Sequence, residues 1–170
     1  MMMATIGFVP AHQTRSATIR LDAPPGRAFE MFTPLGERAW AHGWDPEFLH
    51  PLDGDGCEGS VFITRAGGVE TIWTTIAHHP PSGAAYSRVT TGLHAVVVQV
   101  RLRPADDGGT LADVSYAFTA LTLAGNEAVA EMVAGFDGWM EEWESSINRA
   151  LSVSPVETAR ENSVDSDNSA

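Results

Sequence analysis

Polar and apolar residues alternate along most of this chain, and near residue 121 the pattern switches to a step of three or four. From Thr14 to Leu21, Ala17, Ile19 and Leu21 stand against Thr18 and Arg20, the period-2 mark of a strand with one buried face. Asp22-Ala23-Pro24-Pro25 closes it, and proline suits a first helical turn because it has no N–H to lose there. Arg27 to Phe32 then predicts a short helix with Ala28, Phe29 and Phe32 on one face, and Gly36 to Ala41 a second. Five further strands are predicted at Gly56 to Arg65, Val69 to His78, Ala85 to Thr91, Leu93 to Arg103 and Thr110 to Ala120. Short turns join them, with Asp106-Asp107-Gly108-Gly109 a strong hairpin signal, so they read as an antiparallel meander.

Beyond Leu121, Val129, Met132, Val133, Phe136, Met140, Trp143, Ile147 and Leu151 recur as one face of a helix does. A helix over 124–151 is about 40 Å long at 1.5 Å per residue. Thr122 is its expected N-cap, with Asn126 the alternative. Gly135 and Gly138 cost about 1 kcal/mol each relative to Ala and are read as permitting a bend or a close approach to the sheet. Residues 1–12 show no period and are assigned to a flexible N-terminus. The domain is assigned to 13–151, and 152–170, rich in Ser, Asp, Glu and Asn, to a disordered acidic tail. The expectation is an α+β, helix-grip fold: a curved antiparallel sheet of about six strands around a long C-terminal helix, with two short helices after the first strand. One helix cannot fill the concave face of such a sheet, and the gap left between them is the expected binding site.

This order, with particular stretches, resembles the SRPBCC superfamily, which includes START domains, birch-pollen-allergen-type proteins and polyketide cyclase/dehydrase-like proteins. Ala17-Thr18-Ile19-Arg20-Leu21-Asp22-Ala23-Pro24-Pro25 with Ala28-Phe29 looks like the first strand and helix. Phe32 to Trp40, Gly43 to Phe48, and Trp139-Met140-Glu141-Glu142-Trp143-Glu144 with Ile147-Asn148 resemble an uncharacterised bacterial branch. The resemblance covers about residues 12–151. It implies a fold whose members bind lipids, hormones or polyketides, cyclise aromatic polyketides, or serve as co-chaperones. It supplies no shared catalytic motif, so no functional residue carries over.

Charge narrows the partners. The chain of 170 residues carries a net charge of -12, and its ten basic residues are all Arg. Such a surface repels phosphate backbones and anionic lipid, so nucleic acid is not an expected partner. Apolar runs such as Ala95 to Val98 fall far short of the roughly 20 residues of a membrane span. Met1-Met2-Met3-Ala4 lacks a basic flank and a sustained apolar run, so it is not read as a signal peptide; a soluble, cytoplasmic protein is the expectation. Cys57 alone excludes an intramolecular disulfide and a thiolate metal cluster. His78 and His79, adjacent in a strand, point to opposite faces and cannot ligate one ion together; no metal and no cofactor are expected, and no phosphate-binding glycine pattern is present.

The candidate ligand-cavity residues are aromatic first. Trp40 and Trp44 are four apart if the second short helix reaches that far, as are Trp139 and Trp143 on the long helix, and each pair can share a face. Trp73, Tyr86 and Tyr116 complete the set of large rings with polar tips, which suit a flat or greasy ligand. On the strand from Leu93, His94, Val96 and Val98 share the inward face with Val100 and Leu102; on the last strand Val114, Tyr116 and Phe118 do. Phe136 and Met140 look inward from the helix. Parity does not assign the inward face of the third and fourth strands; if Tyr86 and Arg88 point inside, Arg88 is an anchor for an anionic or carbonyl-bearing ligand. No base–nucleophile pair is readable. The sequence therefore favours a module that binds a hydrophobic or aromatic small molecule. The rivals are a polyketide cyclase/dehydrase-like enzyme using Tyr86, Arg88 or His94, and a co-chaperone-type interaction module presenting Trp40 and Trp44. A homodimer is compatible with each.

Overall fold

The computed structural model describes residues 7–54 and 57–153. Residues 1–6, the Asp55-Gly56 turn and, of the tail assigned to 152–170, everything from 154 onward lie outside them, while Ser152 belongs to the long helix rather than to the tail. The elements are β1 (His12–Leu21), α1 (Pro25–Glu30), a 3-10 turn (Gly36–Ala39), β2 (Glu47–His50), β3 (Val61–Ala66), β4 (Val69–His79), β5 (Gly83–Thr90), β6 (His94–Pro104), β7 (Thr110–Ala120) and α2 (Leu123–Ser152). The sheet has seven strands rather than six, in the order β1-β7-β6-β5-β4-β3-β2, each neighbour antiparallel. β2 leaves no alternation in the sequence because it is four residues long and bulged between Phe48 and His50. Phe48 against Phe62 (5.6 Å between centroids) and Glu47 paired with Arg65 (2.5 Å) hold it on β3.

Alternation decides the sheet faces. On β7 every second residue from Thr110 to Ala120 is buried, and on β6 His94, Val96, Val98, Val100 and Leu102 are. These faces look toward α2, whose Val129, Phe136, Met140 and Ile147 are buried against them.

β1 is an edge strand, and a bare edge exposes backbone groups that invite pairing with another chain. Here α2 covers it with polar side chains. Glu144 accepts the Arg20 N–H at 2.8 Å, while Asn148 accepts from the Asp22 N–H (2.8 Å) and donates to the Arg20 carbonyl (2.9 Å). Asp137 pairs with Arg15 at 2.8 Å. The helix thus completes the edge as well as the core.

Thr122 caps α2 by accepting from the Gly125 N–H at 3.0 Å. Asn126 does not cap; it ties down the approach to β1, accepting from the Ala11 N–H (2.8 Å) and donating to the Val9 carbonyl (3.0 Å). The close approach of helix to sheet falls at Gly125, where a Cβ would sit 1.9 Å from the Leu93 carbonyl oxygen. It does not fall at Gly138, which faces open space, or at Gly135, whose nearest neighbour is Trp139 on the same helix.

Candidate functional site

A cavity of about 260 Å³ lies between the sheet, α2 and the segment after α1. The sheet contributes Trp73, Tyr86, Arg88, Val98, Val100 and Tyr116. Tyr86, Val98 and Tyr116 sit directly opposite one another across three strands, and Trp73 pairs with Arg88 in the adjacent row. β5 therefore turns Tyr86 and Arg88 inward, the choice that parity left open. α2 adds Trp139 and Trp143, and the segment after α1 adds Phe32, Glu37, Trp40, Ala41 and Trp44.

The rings are held by their polar atoms, which leaves their faces to the cavity. Trp40 Nε1 donates to the Met31 carbonyl and Trp44 Nε1 to the Pro34 carbonyl, both at 2.7 Å; Trp73 Nε1 donates to Thr64 Oγ1 at 2.9 Å. The Tyr86 hydroxyl donates to the Phe32 carbonyl at 2.9 Å. Edge-to-face contacts brace the wall, Trp40 against Trp143 at 5.1 Å and Trp44 against Trp73 at 5.3 Å between centroids. The helical spacing expected for Trp40 and Trp44 is absent, because the 3-10 turn ends at Ala39. Their carbonyl bonds aim them inward instead.

Three polar side chains interrupt this lining. The Arg88 guanidinium lies over the Trp73 and Tyr116 rings, 5.3 and 6.0 Å from their centroids. Glu37 is half-buried, and burial pushes its carboxyl pKa up to about 8 against the pull of Arg88. Burial likewise holds the Tyr116 hydroxyl protonated, well above its ordinary value. Glu37 reaches the cavity because the chain turns directly on the end of α1: a Cβ at Gly36 would lie 1.7 Å from the Glu30 carbonyl oxygen. Sequence reasoning missed Glu37. The available signal was its spacing, three residues before Trp40 and four before Ala41.

Five expected cavity residues lie elsewhere. Val96, Phe118, Phe136 and Met140 are at most 3% exposed and fill the space between β6, β7 and the middle of α2. These side chains belong to the buried core cluster rather than to the cavity wall. His94 is buried at the end of β6, short of the cavity, and burial together with the nearby Arg88 lowers its pKa. Phe32, Glu37, Ala41 and Val100 take their places in the wall. Among the described residues no group of three or more His, Cys, Asp or Glu is arranged to hold a metal ion.

A larger depression, about 560 Å³, runs over the start of β5 beside β6. Its Asp113 is already bonded by Thr18 (2.6 Å) and Arg103 (3.2 Å). Among the described residues, two enclosed side-chain polar atoms lack a partner, Arg88 Nε and His94 Nδ1, and the first belongs to a residue of the internal cavity wall. Unsatisfied enclosed polar groups mark where a ligand has something to bind, so the smaller, internal cavity is the candidate site.

A curved antiparallel sheet gripping one long helix, with an aromatic hollow between them, defines a helix-grip protein of the SRPBCC superfamily. The chain belongs to the polyketide cyclase/dehydrase and lipid transport family, whose sequence profile matches residues 12–142. No curated protein matches it. Among solved structures, a protein of Mesorhizobium loti is similar with a TM-score of 0.64 at 16% identity, covering 85% of this chain and 100% of that one. An uncharacterised protein of Rhizobium leguminosarum reaches 0.61 at 17% identity, covering 83% and 97%. Ara h 8.0201 reaches 0.60 at 18% identity, covering 84% and 99%. At such identities these likenesses carry the fold alone.

Proposed function

We propose that this protein binds a hydrophobic or aromatic small molecule in the cavity between the sheet and α2. One observation carries the reading: four aromatic side chains have their polar atoms committed to hydrogen bonds within the protein, so that what they offer the hollow is apolar ring surface. Membership of a cyclase/dehydrase and lipid transport family supports it. No helix among the described residues is long and apolar enough to cross a membrane. The functional unit on this reading is the segment 13–151. The test is to titrate the purified chain with a panel of lipids and aromatic polyketides while following tryptophan fluorescence and thermal midpoint. Trp40, Trp44, Trp73, Trp139 and Trp143 all border the site, so an occupant must perturb emission. Unchanged fluorescence and an unmoved midpoint across the panel would sink the reading.

The enzyme reading has a narrower basis. Of the proton-handling residues expected from the sequence, Tyr86 is committed to a backbone carbonyl and His94 lies outside the wall. A cyclase- or dehydratase-like activity would rest on Arg88 and Glu37, the two cavity-lining groups that combine a fixed charge with a proton held to about pH 8. Turnover of a polyketide substrate lost in both Arg88→Met and Glu37→Gln would favour it over simple binding.

A further inference from the structure

Arg88 is held in the cavity wall without a counter-ion. Arg15, Arg20, Arg27, Arg38, Arg65 and Arg103 each lie within 4.0 Å of a carboxylate; of the described arginines without such a pair, Arg101 and Arg149 are exposed, whereas Arg88 lines the cavity. Its guanidinium carbon lies over the Trp73 and Tyr116 rings, and such cation–π contacts satisfy no N–H donor. Its Nε is fully enclosed with no hydrogen-bond partner, and one terminal nitrogen reaches only the Met132 sulfur, at 3.8 Å. An enclosed charge that lacks a partner is costly, and a planar guanidinium edge is matched by the two oxygens of a carboxylate.

Glu37 does not fill that role. It lines the same cavity and feels the Arg88 charge, yet forms no ion pair with it, and enclosure keeps its proton on up to about pH 8. The other groups around it do not change this balance. From β5 come Arg88 and Tyr86, whose hydroxyl is spent on Phe32; from β7 comes the neutral Tyr116 phenol. β6 brings His94, beyond the wall and held toward its neutral form, and α2 presents the rings of Trp139 and Trp143. At neutral pH the hollow therefore carries one positive charge, walled by rings.

We propose that the ligand of this cavity is a small aromatic or branched aliphatic carboxylate, its apolar body among the tryptophans and its carboxylate on the terminal nitrogens of Arg88. This deepens the small-molecule reading above and rests on it. The size agrees, since about 260 Å³ lies below the roughly 300–1,000 Å³ usual for drug-sized ligands. Glu37 sets the pH range. While protonated it leaves Arg88 to the ligand; once ionised it competes for the guanidinium and repels the incoming anion.

The experiment is calorimetric titration of the full chain with 2-naphthoate and with its neutral isostere 2-naphthamide, from about pH 6.5 to pH 9.5, where the ligand carboxylate stays ionised throughout. A charged hydrogen-bonded anchor predicts naphthoate binding about tenfold or more tighter than naphthamide at the lower pH. The advantage should vanish in Arg88→Met and persist in Arg88→Lys. Naphthoate affinity should fall on the order of tenfold across the upper part of the range in the unmodified chain and stay level in Glu37→Gln. Equal affinity for the two probes, or an unaltered decline in Glu37→Gln, overturns the proposal; so does binding of neither probe. The broader panel then separates the two readings, because neutral apolar ligands that still bind leave the cavity reading standing. Should Arg88→Met not fold, the probe ratio in the unmodified chain and the Glu37→Gln profile decide alone.

Discussion

Glu37 carries the most unusual chemistry of any side chain described here, and its environment rather than its identity creates it. A carboxyl that keeps its proton to about pH 8 when folded, but titrates near its ordinary value when unfolded, makes the folded state bind more protons between those two points. Stability contributed by such a group falls as pH rises through that window, because the unfolded chain then gains from ionising while the folded one resists it. Glu37→Gln removes the conflict. The variant is expected to match the unmodified protein near pH 5 and to exceed it by ~1–3 kcal/mol near pH 8.5, the range being discounted because Glu37 is only half-buried. Urea denaturation of both proteins at the two pH values measures this; a constant difference between them would exclude the assigned protonation. Nothing at position 37 announced this in the sequence. Gly36 to Ala41 reads as a short helix with no partner specified, and it took the wall built from β5 and β7, remote in the chain, to enclose the acid.

At the scale of elements, the closure of β1 by α2 is the feature that most repays a test. Asn148 satisfies two backbone groups of the strand edge, the Asp22 N–H and the Arg20 carbonyl. Asn148→Ala leaves both without that partner and is expected to cost ~2 kcal/mol, or a fall of about 4–8 °C in thermal midpoint for a chain of this size. A loss below about 0.5 kcal/mol in urea denaturation would mean that water replaces the side chain at no cost. Much of the element layer was legible. The alternation of β6 and β7 named their inward faces correctly, and Thr122 caps the helix it was expected to cap. β5 was not legible, because both of its faces mix polar and apolar residues, Tyr86 with Arg88 and Ser87 with Val89. The Tyr86 bond to Phe32, across 54 residues of chain, is what distinguishes the inner face. β2 escaped notice for a different reason: four residues are too few to display a period, and its order comes from pairing with β3.

The molecule as a whole divides into a solid part and a hollow part. Near Phe118, Phe136 and Ile147 the helix and sheet interlock, with each of these side chains fully buried; near Trp143 the rings face a cavity. Truncation should separate the two. Ile147→Ala is expected to cost ~2–5 kcal/mol, as deletions in packed cores do. Trp143→Ala should cost less than the ~3–5 kcal/mol typical of a buried Trp while weakening an apolar ligand about tenfold or more, since its ring borders space that is already empty. Paired urea denaturation and ligand titration of the two variants would reveal the contrast, and equal losses of stability would argue that no hollow exists.

Apart from β2, residue spacing alone determined the order of elements, the antiparallel meander and the inward faces of β6 and β7. Periods of 2 and of three to four residues are properties of local backbone geometry and need no partner. The tertiary structure decided where the interface fills and where it stays open, which side chains wall the opening, and that Arg88 and Glu37 meet there. Those outcomes depend on volumes and charges summed over segments far apart in the chain: a gap is left where large rings are held back by their own hydrogen bonds, and a pKa moves only when burial removes water from the group. Neither quantity is a property of any stretch of sequence read by itself.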